Sequence, residues 1–173
     1  MLQGPIFLTG FMGTGKSKIG HLLARRLQRN FVDTDQLIEA RAGRTISQIF
    51  ASQGEEAFRR VEHECVVEAA ARKGVVVALG GGAITQERIR EVIRKAGVLV
   101  CLEASVETIF ARVSRREDRP LLAGLSQDEK RQKIRRLLAE RKPFYDRADI
   151  KIQTSNEQEP EIVVAQLIEL LES

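Results

Sequence analysis

Eight residues near the start of the chain have the pattern of a phosphate-binding loop. The segment Gly10-Phe-Met-Gly-Thr-Gly15-Lys16-Ser17 fits G-x-x-x-x-G-K-[ST] without a substitution. In such a loop the backbone amides and the following helix attract phosphate, the lysine adds a full positive charge, and the serine hydroxyl can bind Mg²⁺. A chance glycine-rich turn before a helix is the alternative interpretation. We favour the loop and expect the chain to bind a nucleoside triphosphate.

Two acids follow a second short apolar run. Asp33-Thr34-Asp35 comes directly after Phe31-Val32, which places it at the carboxyl end of a predicted strand. Ligands bind at that edge in open parallel sheets. One acid could therefore lie near a metal ion and the other near an acceptor hydroxyl. A pair of helix-capping residues before a helix at Gln36 is the alternative.

Three glycines close the next predicted strand, Val75–Leu79, at the same edge. Gly80, Gly81 and Gly82 permit backbone conformations with positive φ and the close approach of a ligand. A flexible turn would need the same residues. The run favours a site over a simple turn because it follows a buried strand.

Three arginines are ambiguous from the sequence alone. Arg59 has acidic neighbours at helical spacing, so pairing along a helix would explain it. Arg141 is predicted to end a helix, where it could complement the helix dipole. Arg119 precedes Pro120 in the charged stretch 112–124, which suits either a mobile flap over phosphates or a solvated loop.

Short apolar runs alternate with helical patterns along the chain. Such runs predict a parallel sheet covered on both faces. Capping boxes begin two of the predicted helices, at Thr45-x-x-Gln48 and Ser126-x-x-Glu129, and Pro160 begins the last one. Two or three short helices are expected within residues 36–61. The predicted strands are Ile6–Thr9, Phe31-Val32, Val75–Leu79, Val98–Leu102 and Ile150–Gln153.

Composition limits the classes of protein that remain. The chain has 173 residues, 43% of them hydrophobic, which suits one domain over residues 1–173. Its net charge of +4 suits small anionic ligands as readily as nucleic acid. With one Tyr and no Trp it lacks the stacking residues of single-strand binders, so we expect no nucleic-acid partner.

The remaining composition features concern location. Cys65 and Cys101 lie in apolar stretches without metal-ligand spacing, so we expect two buried thiols in a reducing cytoplasm. No basic-then-apolar leader begins the sequence, and no apolar run approaches the roughly 18 residues of a membrane span. We therefore expect a cytoplasmic protein without a membrane partner. A monomer is a separate expectation, which these features do not settle.

Together, the motifs resemble those of the shikimate kinase family, small P-loop enzymes related in fold to nucleoside monophosphate kinases. The resemblance implies an α/β fold: a three-layer α/β/α P-loop kinase domain with a central five-stranded parallel sheet, a helical substrate-binding region at 33–62 and a mobile lid at 112–124. The match covers almost the whole chain in order: Gly10–Ser17, Asp33-Thr34-Asp35, Gly54-Glu55 with Phe58-Arg59 and Glu62, Gly80–Gly82, Arg119-Pro120-Leu121-Leu122, and Arg141-x-Pro143-x-Tyr145 followed by Ala148-Asp149.

The activity that the resemblance implies is transfer of the γ-phosphoryl group of ATP to the 3-hydroxyl of shikimate, a step toward chorismate and the aromatic amino acids. Its catalytic residues would be Lys16, Asp33 and Arg119. One Mg²⁺ ion would be bound by Ser17 and supported through water by Asp33, which would orient the reacting hydroxyl first and act as a base second. The ATP-binding residues would be Gly13, Thr14, Gly15, Lys16, Ser17, Lys18, Arg112, Arg119 and Gln158.

The resemblance assigns a second set of residues to shikimate. Arg59 and Arg141 would hold its carboxylate, because guanidinium groups bind carboxylates in a bidentate way. Asp35 would accept hydrogen bonds from its hydroxyls. The backbone of Gly80, Gly81 and Gly82 would contact the same molecule.

One departure and two alternatives stay open. Lys18 stands where many family members have Thr or Ser, so a backbone contact to phosphate carries over and a hydroxyl contact does not. A kinase for gluconate or a nucleoside monophosphate is the nearest alternative. A P-loop regulator or nucleic-acid-associated ATPase is less well supported, because no later strand ends in a metal-binding Asp.

Overall fold

The computed structural model describes residues 3–114 and 120–173, and its centre is a five-stranded parallel sheet. The strands lie in the order β2-β3-β1-β4-β5. Because every pairing is parallel, all five carboxyl ends lie at one edge, which confirms the predicted sheet. The strands are β1 Ile6–Thr9, β2 Asn30–Asp33, β3 Val75–Ala78, β4 Val98–Glu103 and β5 Ile150–Gln153.

Helices alternate with these strands. Among the described residues, none is both long enough and apolar enough to cross a bilayer. Short 3₁₀ helices lie at Ala83–Thr85 and Pro120–Leu122. The α-helices are α1 Lys16–Arg26, α2 Thr34–Ala42, α3 Ile46–Ala70, α4 Glu87–Ala96, α5 Val106–Val113, α6 Gln127–Tyr145 and α7 Pro160–Glu172.

The sheet is buried on both faces, as the apolar strands predict. On one face, Leu8 of β1 belongs to a core with Leu23 of α1 and Leu167 of α7. On the other face, Phe7 of β1 belongs to a core that α3, α4, α5 and α6 complete, with Val66 of α3 among its members. This arrangement is the expected three-layer α/β/α fold.

Both predicted capping boxes form. Thr45 Oγ1 accepts from the Gln48 amide at 3.2 Å, and Gln48 Oε1 accepts from the Thr45 amide at 3.0 Å. Ser126 and Glu129 make the matching pair of bonds at the start of α6, at 3.2 and 2.7 Å. Pro160 is the first residue of α7, as expected.

The region between β2 and β3 departs from the prediction in its boundaries. α2 begins at Thr34, two residues before Gln36, because Asp33 is its cap. α3 spans 25 residues across a break at Gly54, whose φ of 81° and ψ of 176° are not helical. Glycine adopts such angles readily, so α2 and the two halves of α3 account for the short helices expected here.

Both cysteines are free and buried, as predicted. Burial raises the pKa of the Cys65 thiol, and it raises that of Cys101 to about 12. Both groups are therefore neutral at physiological pH and pack as small apolar side chains.

Gly20 offers a test of how closely α1 packs on the sheet. A Cβ atom there would lie 2.4 Å from Cε2 of Phe31 and 3.2 Å from Cδ1 of Leu8. Alanine favours a helix over glycine by about 1 kcal/mol, but overpacking a core typically costs about 1–3 kcal/mol. The Phe31 ring is also packed on His21, with 3.9 Å between ring centroids. We expect Gly20→Ala to lower the free energy of unfolding by about 1 kcal/mol in urea denaturation.

The matched control is Glu91→Ala on an exposed position of α4. It should change the free energy of unfolding by less than about 0.5 kcal/mol. A Gly20→Ala protein more stable than the parent would mean that the Phe31 ring moves aside without loss, and the packing prediction would then be wrong.

Candidate active site

The loop between β1 and α1 has the geometry of a phosphate-binding loop. Gly13 and Gly15 have φ of 77° and 96°, angles at which a side chain would be strained. Lys16 Nζ donates to the carbonyls of Gly10 at 2.7 Å and Phe11 at 3.0 Å. The lysine charge is therefore held over the loop, at the start of a helix whose first amides also attract anions.

The outer side of this loop is tied to the rest of the fold. Thr14 is buried, and its Oγ1 donates to the Phe11 carbonyl at 2.8 Å. Thr154, directly after β5, donates to the Thr14 carbonyl at 3.0 Å. Arg112 Nη1 donates to the Gly13 carbonyl at 2.9 Å. The loop is thus fixed from two other elements before any ligand binds.

The two carboxylate oxygens of Asp33 have different partners. Its Oδ1 accepts from the amides of Asp35 at 2.9 Å and Gln36 at 3.4 Å, which is a helix cap. Its Oδ2 accepts from Ser17 Oγ at 3.0 Å. One carboxylate oxygen therefore fixes α2 while the other lies beside the phosphate-binding loop.

Thr34, between the two acids, joins the ends of β2 and β3. Its buried hydroxyl donates to the Ala78 carbonyl and accepts from the Gly80 amide, both at 3.2 Å. The acids on either side of it are consequently held at a fixed distance from the glycine run.

The three predicted acceptor-binding side chains come together around the three glycines. A Cβ atom on Gly80 would lie 2.9 Å from Asp35 Oδ1, and one on Gly82 would lie 2.8 Å from Arg59 Nη2. A Cβ atom on Gly81 would lie 3.1 Å from Arg141 Nη1 and 3.5 Å from the Gly10 carbonyl. Gly81 therefore lies between an arginine of the predicted acceptor site and the phosphate-binding loop.

The structure contradicts one of the two reasons predicted for these glycines. None of the three has a φ in the left-handed region, so the expected positive φ is wrong for Gly80, Gly81 and Gly82. They are needed for the close approach of protein side chains to the backbone. Any larger residue would displace a charged group from the sheet edge.

Glu62 is a site residue that sequence reasoning quoted in a motif but gave no role. Its carboxylate is 1% exposed, accepts from Arg59 Nη1 at 2.7 Å and from Gln86 Nε2 at 2.6 Å, and lies beside Gly80. Burial raises the pKa of Glu62, although the nearby Arg59 guanidinium opposes the shift. The available signal was its spacing of three residues from Arg59, which the sequence attributed to a surface pair.

Arg59 and Arg141 are placed by different partners. Arg59 also pairs with Glu55 at 3.5 Å, so the acidic neighbours noted in the sequence do contact it. The Arg141 guanidinium lies 5.3 Å from the Phe11 ring centroid, a cation–π contact. Next to it, the buried Tyr145 hydroxyl donates to the Gly81 carbonyl at 2.9 Å, and burial raises the pKa of Tyr145 to about 12.

The remaining predicted residues lie apart from this cluster. Arg112 is on α5, where burial lowers its pKa and where it also donates to Asn156 Oδ1 and the Ser155 carbonyl, at 2.9 and 2.8 Å. Gln158 donates to Gln166 of α7 at 3.3 Å, and Lys18 is exposed. Arg119 falls within 115–119, outside the described residues.

Two variants of Asp33 separate its cap hydrogen bond from its negative charge. Asp33→Ala deletes the cap of α2 and should lower the free energy of unfolding by about 1 kcal/mol. Asp33→Asn keeps an acceptor oxygen for the Asp35 amide and should stay within about 0.5 kcal/mol of the parent. Urea denaturation measures both. Equal losses in the two variants would mean that the negative charge, rather than the cap hydrogen bond, stabilises α2.

The buried Glu62 should make stability depend on pH. Because its pKa is raised in the folded state, the folded protein binds a proton more tightly than the unfolded chain does. The stability contributed by this group is complete below the unfolded-state pKa and is lost as pH rises through the folded-state pKa. Glu62→Gln removes this dependence, so its free energy of unfolding relative to the parent should improve between pH 5 and pH 8. A constant difference across that range would contradict the assignment.

A family model, related sequences and solved structures all indicate the same family. A family model described as Shikimate kinase matches residues 12–172. The chain is 50% identical over 154 residues to a shikimate kinase from Chlorobium chlorochromatii, and the alignment covers 86% of this chain and 81% of that protein. The fold of this chain matches a crystal structure of shikimate kinase from Bacteroides thetaiotaomicron with a TM-score of 0.92 and 35% identity, over 99% of each chain.

A further match is to a shikimate kinase from Acinetobacter baumannii in complex with shikimate. The TM-score is 0.91 and the identity 38%, over 98% of this chain and 93% of that one. With the phosphate-binding loop, the acids and the arginines in place at one sheet edge, this chain belongs to the shikimate kinase family.

Proposed function

We propose that this chain transfers the γ-phosphoryl group of ATP to the 3-hydroxyl of shikimate, giving ADP and shikimate 3-phosphate on the route to chorismate and the aromatic amino acids. The observation that carries the proposal is the position of Gly81, between the phosphate-binding loop and Arg141. A phosphate donor and a carboxylate-bearing acceptor bound to these two groups would meet at the same edge. The Acinetobacter relative, which was solved with shikimate, supports this choice of acceptor.

ATP is assigned to the loop and its surroundings. Lys16 neutralises the outer phosphates, and the backbone amides of Gly13, Thr14, Gly15 and Lys18 bind their oxygens. Arg112 borders the nucleotide from α5, where its bonds to Gly13 and Asn156 hold the guanidinium in place. Gln158 and Arg119 complete the proposed set, Arg119 as a third catalytic residue carried by the lid at 112–124.

Shikimate is assigned to the cluster around the glycines, within the substrate-binding region at 33–62 and beyond it. Arg59 and Arg141 bind its carboxylate, and Asp35 accepts hydrogen bonds from its ring hydroxyls. The backbone of Gly80, Gly81 and Gly82 lines the same space. Because these side chains are held by protein contacts, the acceptor is oriented with little further ordering.

The donors beside the loop suit one Mg²⁺ ion. Ser17 Oγ and Asp33 Oδ2 are hard oxygen ligands 3.0 Å apart, and Mg²⁺ is bound by one or two such groups together with phosphates and water. No group of three or more His, Cys, Asp or Glu side chains in the described residues could hold a metal ion. When bound, the ion would neutralise phosphate charge.

Asp33 has two proposed roles in the transfer. Its Oδ2 lies at the loop, where it can orient the acceptor hydroxyl and accept its proton as the new bond forms. Phosphoryl transfer depends mainly on positioning and charge neutralisation, so orientation is the larger part of this role. Closure of the lid would exclude water, which competes with the acceptor for the phosphoryl group.

The monomeric state, the cytoplasmic location and the lack of a nucleic-acid partner stay predictions from the sequence.

A coupled assay of ADP release over a panel of acceptors tests the proposal. With ATP and Mg²⁺, shikimate should give a kcat/KM at least about tenfold above quinate, because the saturated ring and additional hydroxyl of quinate change where its carboxylate and reacting hydroxyl lie relative to the same groups. Gluconate and AMP should stay at the rate without an acceptor. A higher rate with AMP or gluconate would point to a related kinase instead. Equal ADP release without any acceptor would point to an ATPase.

Lys16→Met provides the control for the donor side of the same assay. It should lower kcat by about 10²–10³-fold, as the loss of a preorganised charge at the reacting group does, with an unchanged circular dichroism spectrum. Lys73→Met, on an exposed residue after α3, should keep the parent rate. Near-parent turnover in Lys16→Met would contradict the assignment of the phosphate-binding loop.

A further inference from the structure

We propose that Gln86 is a positioning residue for the acceptor carboxylate, acting through Glu62 on Arg59. The inference rests on the proposed function, since it concerns how Arg59 is oriented toward shikimate. It goes further in naming a residue outside the phosphate loop, the acids, the arginines and the glycines.

The four side chains form a closed ring of hydrogen bonds. Arg59 Nη1 donates to Glu62 Oε2 at 2.7 Å, and Gln86 Nε2 donates to the same oxygen at 2.6 Å. Gln86 Oε1 accepts from Arg88 Nε and Nη2, at 3.1 and 3.0 Å. Arg88 Nη2 then donates to the backbone carbonyl of Arg59 at 3.0 Å. The ring begins at the Arg59 side chain and returns to the Arg59 backbone.

The ring joins two elements that shape the acceptor site. Arg59 and Glu62 are on α3, whereas Gln86 and Arg88 lie at the start of α4, shortly after the three glycines. Arg59 Nη2 would be 2.8 Å from a Cβ atom on Gly82. The guanidinium is thus held against the glycine run from both ends, by its side chain through Glu62 and by its backbone through Arg88.

A glutamine at position 86 suits the contact with Glu62 better than it suits the start of α4. Gln86 is the N-cap of α4, a position at which Ser, Thr, Asp and Asn are preferred, yet its side chain makes no capping hydrogen bond. A shorter capping side chain would turn back onto the helix. The longer glutamine instead extends to Glu62, so its side chain serves the ring and not the helix end.

The amide donor has an electrostatic consequence. Glu62 is 1% exposed, and burial favours its neutral form. Arg59 and the Gln86 amide both favour the carboxylate and oppose that effect, while the neighbouring Asp35 adds to it. Loss of the Gln86 donor would leave Glu62 more easily protonated, and a neutral acid holds a guanidinium less firmly than a carboxylate does.

Steady-state kinetics of Gln86→Ala test the inference. Because Gln86 acts on shikimate only through Glu62 and Arg59, part of the effect of one lost hydrogen bond should reach the substrate. We expect a KM for shikimate about three- to tenfold higher, with kcat within about twofold and the KM for ATP unchanged. The acid-side midpoint of kcat/KM for shikimate against pH should move to higher pH. A merely structural role would move neither the KM ratio between the two substrates nor this midpoint.

One further variant separates hydrogen bonding from side-chain length, and a second serves as its control. Gln86→Glu keeps the length of the side chain but replaces the donor by a second acid next to Glu62, so it should shift the midpoint further than Gln86→Ala. It carries the test by itself if Gln86→Ala does not fold. Gln132→Ala, an exposed glutamine of α6, is the matched control and should leave both quantities unchanged.

A double-mutant cycle decides whether Gln86 acts through Arg59. In the Arg59→Ala background, Gln86→Ala should cause no further rise in the KM for shikimate. The same fold-change in both backgrounds, or a parent-like pH midpoint in Gln86→Glu, would overturn the inference. If the parent protein does not phosphorylate shikimate, the proposed function fails. If the parent does so and the Gln86 variants behave as the parent, the positioning role alone fails.

Discussion

The proposed acceptor side of the site depends on one buried ion pair, Arg59 with Glu62. A carboxylate with 1% exposure must have charged or hydrogen-bonding partners, and leaving it alone would cost about 3–5 kcal/mol. Such a pair adds little net stability compared with apolar residues of the same size. What it contributes is a fixed position for the guanidinium beside Gly82. The glycines follow from this, because the charged groups leave no room for side chains at the sheet edge.

Several residues serve the fold and the site with different atoms. Asp33 caps α2 through Oδ1 and contacts Ser17 through Oδ2. Tyr145, near the end of α6, packs in the core that contains Phe7, and its hydroxyl donates to the Gly81 carbonyl. Since the same side chain satisfies both needs, the site cannot shift without loss of packing or of a cap. Folding itself therefore supplies the preorganisation on which phosphoryl transfer depends.

The sheet was predictable because strands buried on both faces appear as short apolar runs, and the loop because its spacing is constrained by phosphate geometry. The role of Glu62 was not predictable from residue pattern, since its neighbours are charged and the helix looked solvated. Its burial depends on the tertiary packing that brings Gln86 and Gly80 against it. The positive φ expected at Gly80–Gly82 was wrong, because the sequence does not show which side chains approach the backbone there. The start of α2 at Thr34 and the break within α3 at Gly54 likewise depend on a cap and on a backbone conformation that the residue pattern did not show.

The side chains that we propose for the two substrates are held in different ways. Lys16 donates to two neutral carbonyls of its own loop, and a phosphate oxygen forms a stronger, charge-assisted bond with an ammonium group. Exchange of these partners on nucleotide binding is therefore favourable and needs only a rotation of the lysine side chain. Arg59 is bound to a buried carboxylate that no substrate can replace, so it keeps that bond and offers its remaining donors. On the proposed donor side the loop is fixed and only the lysine exchanges partners on binding, whereas the proposed acceptor side keeps its partners.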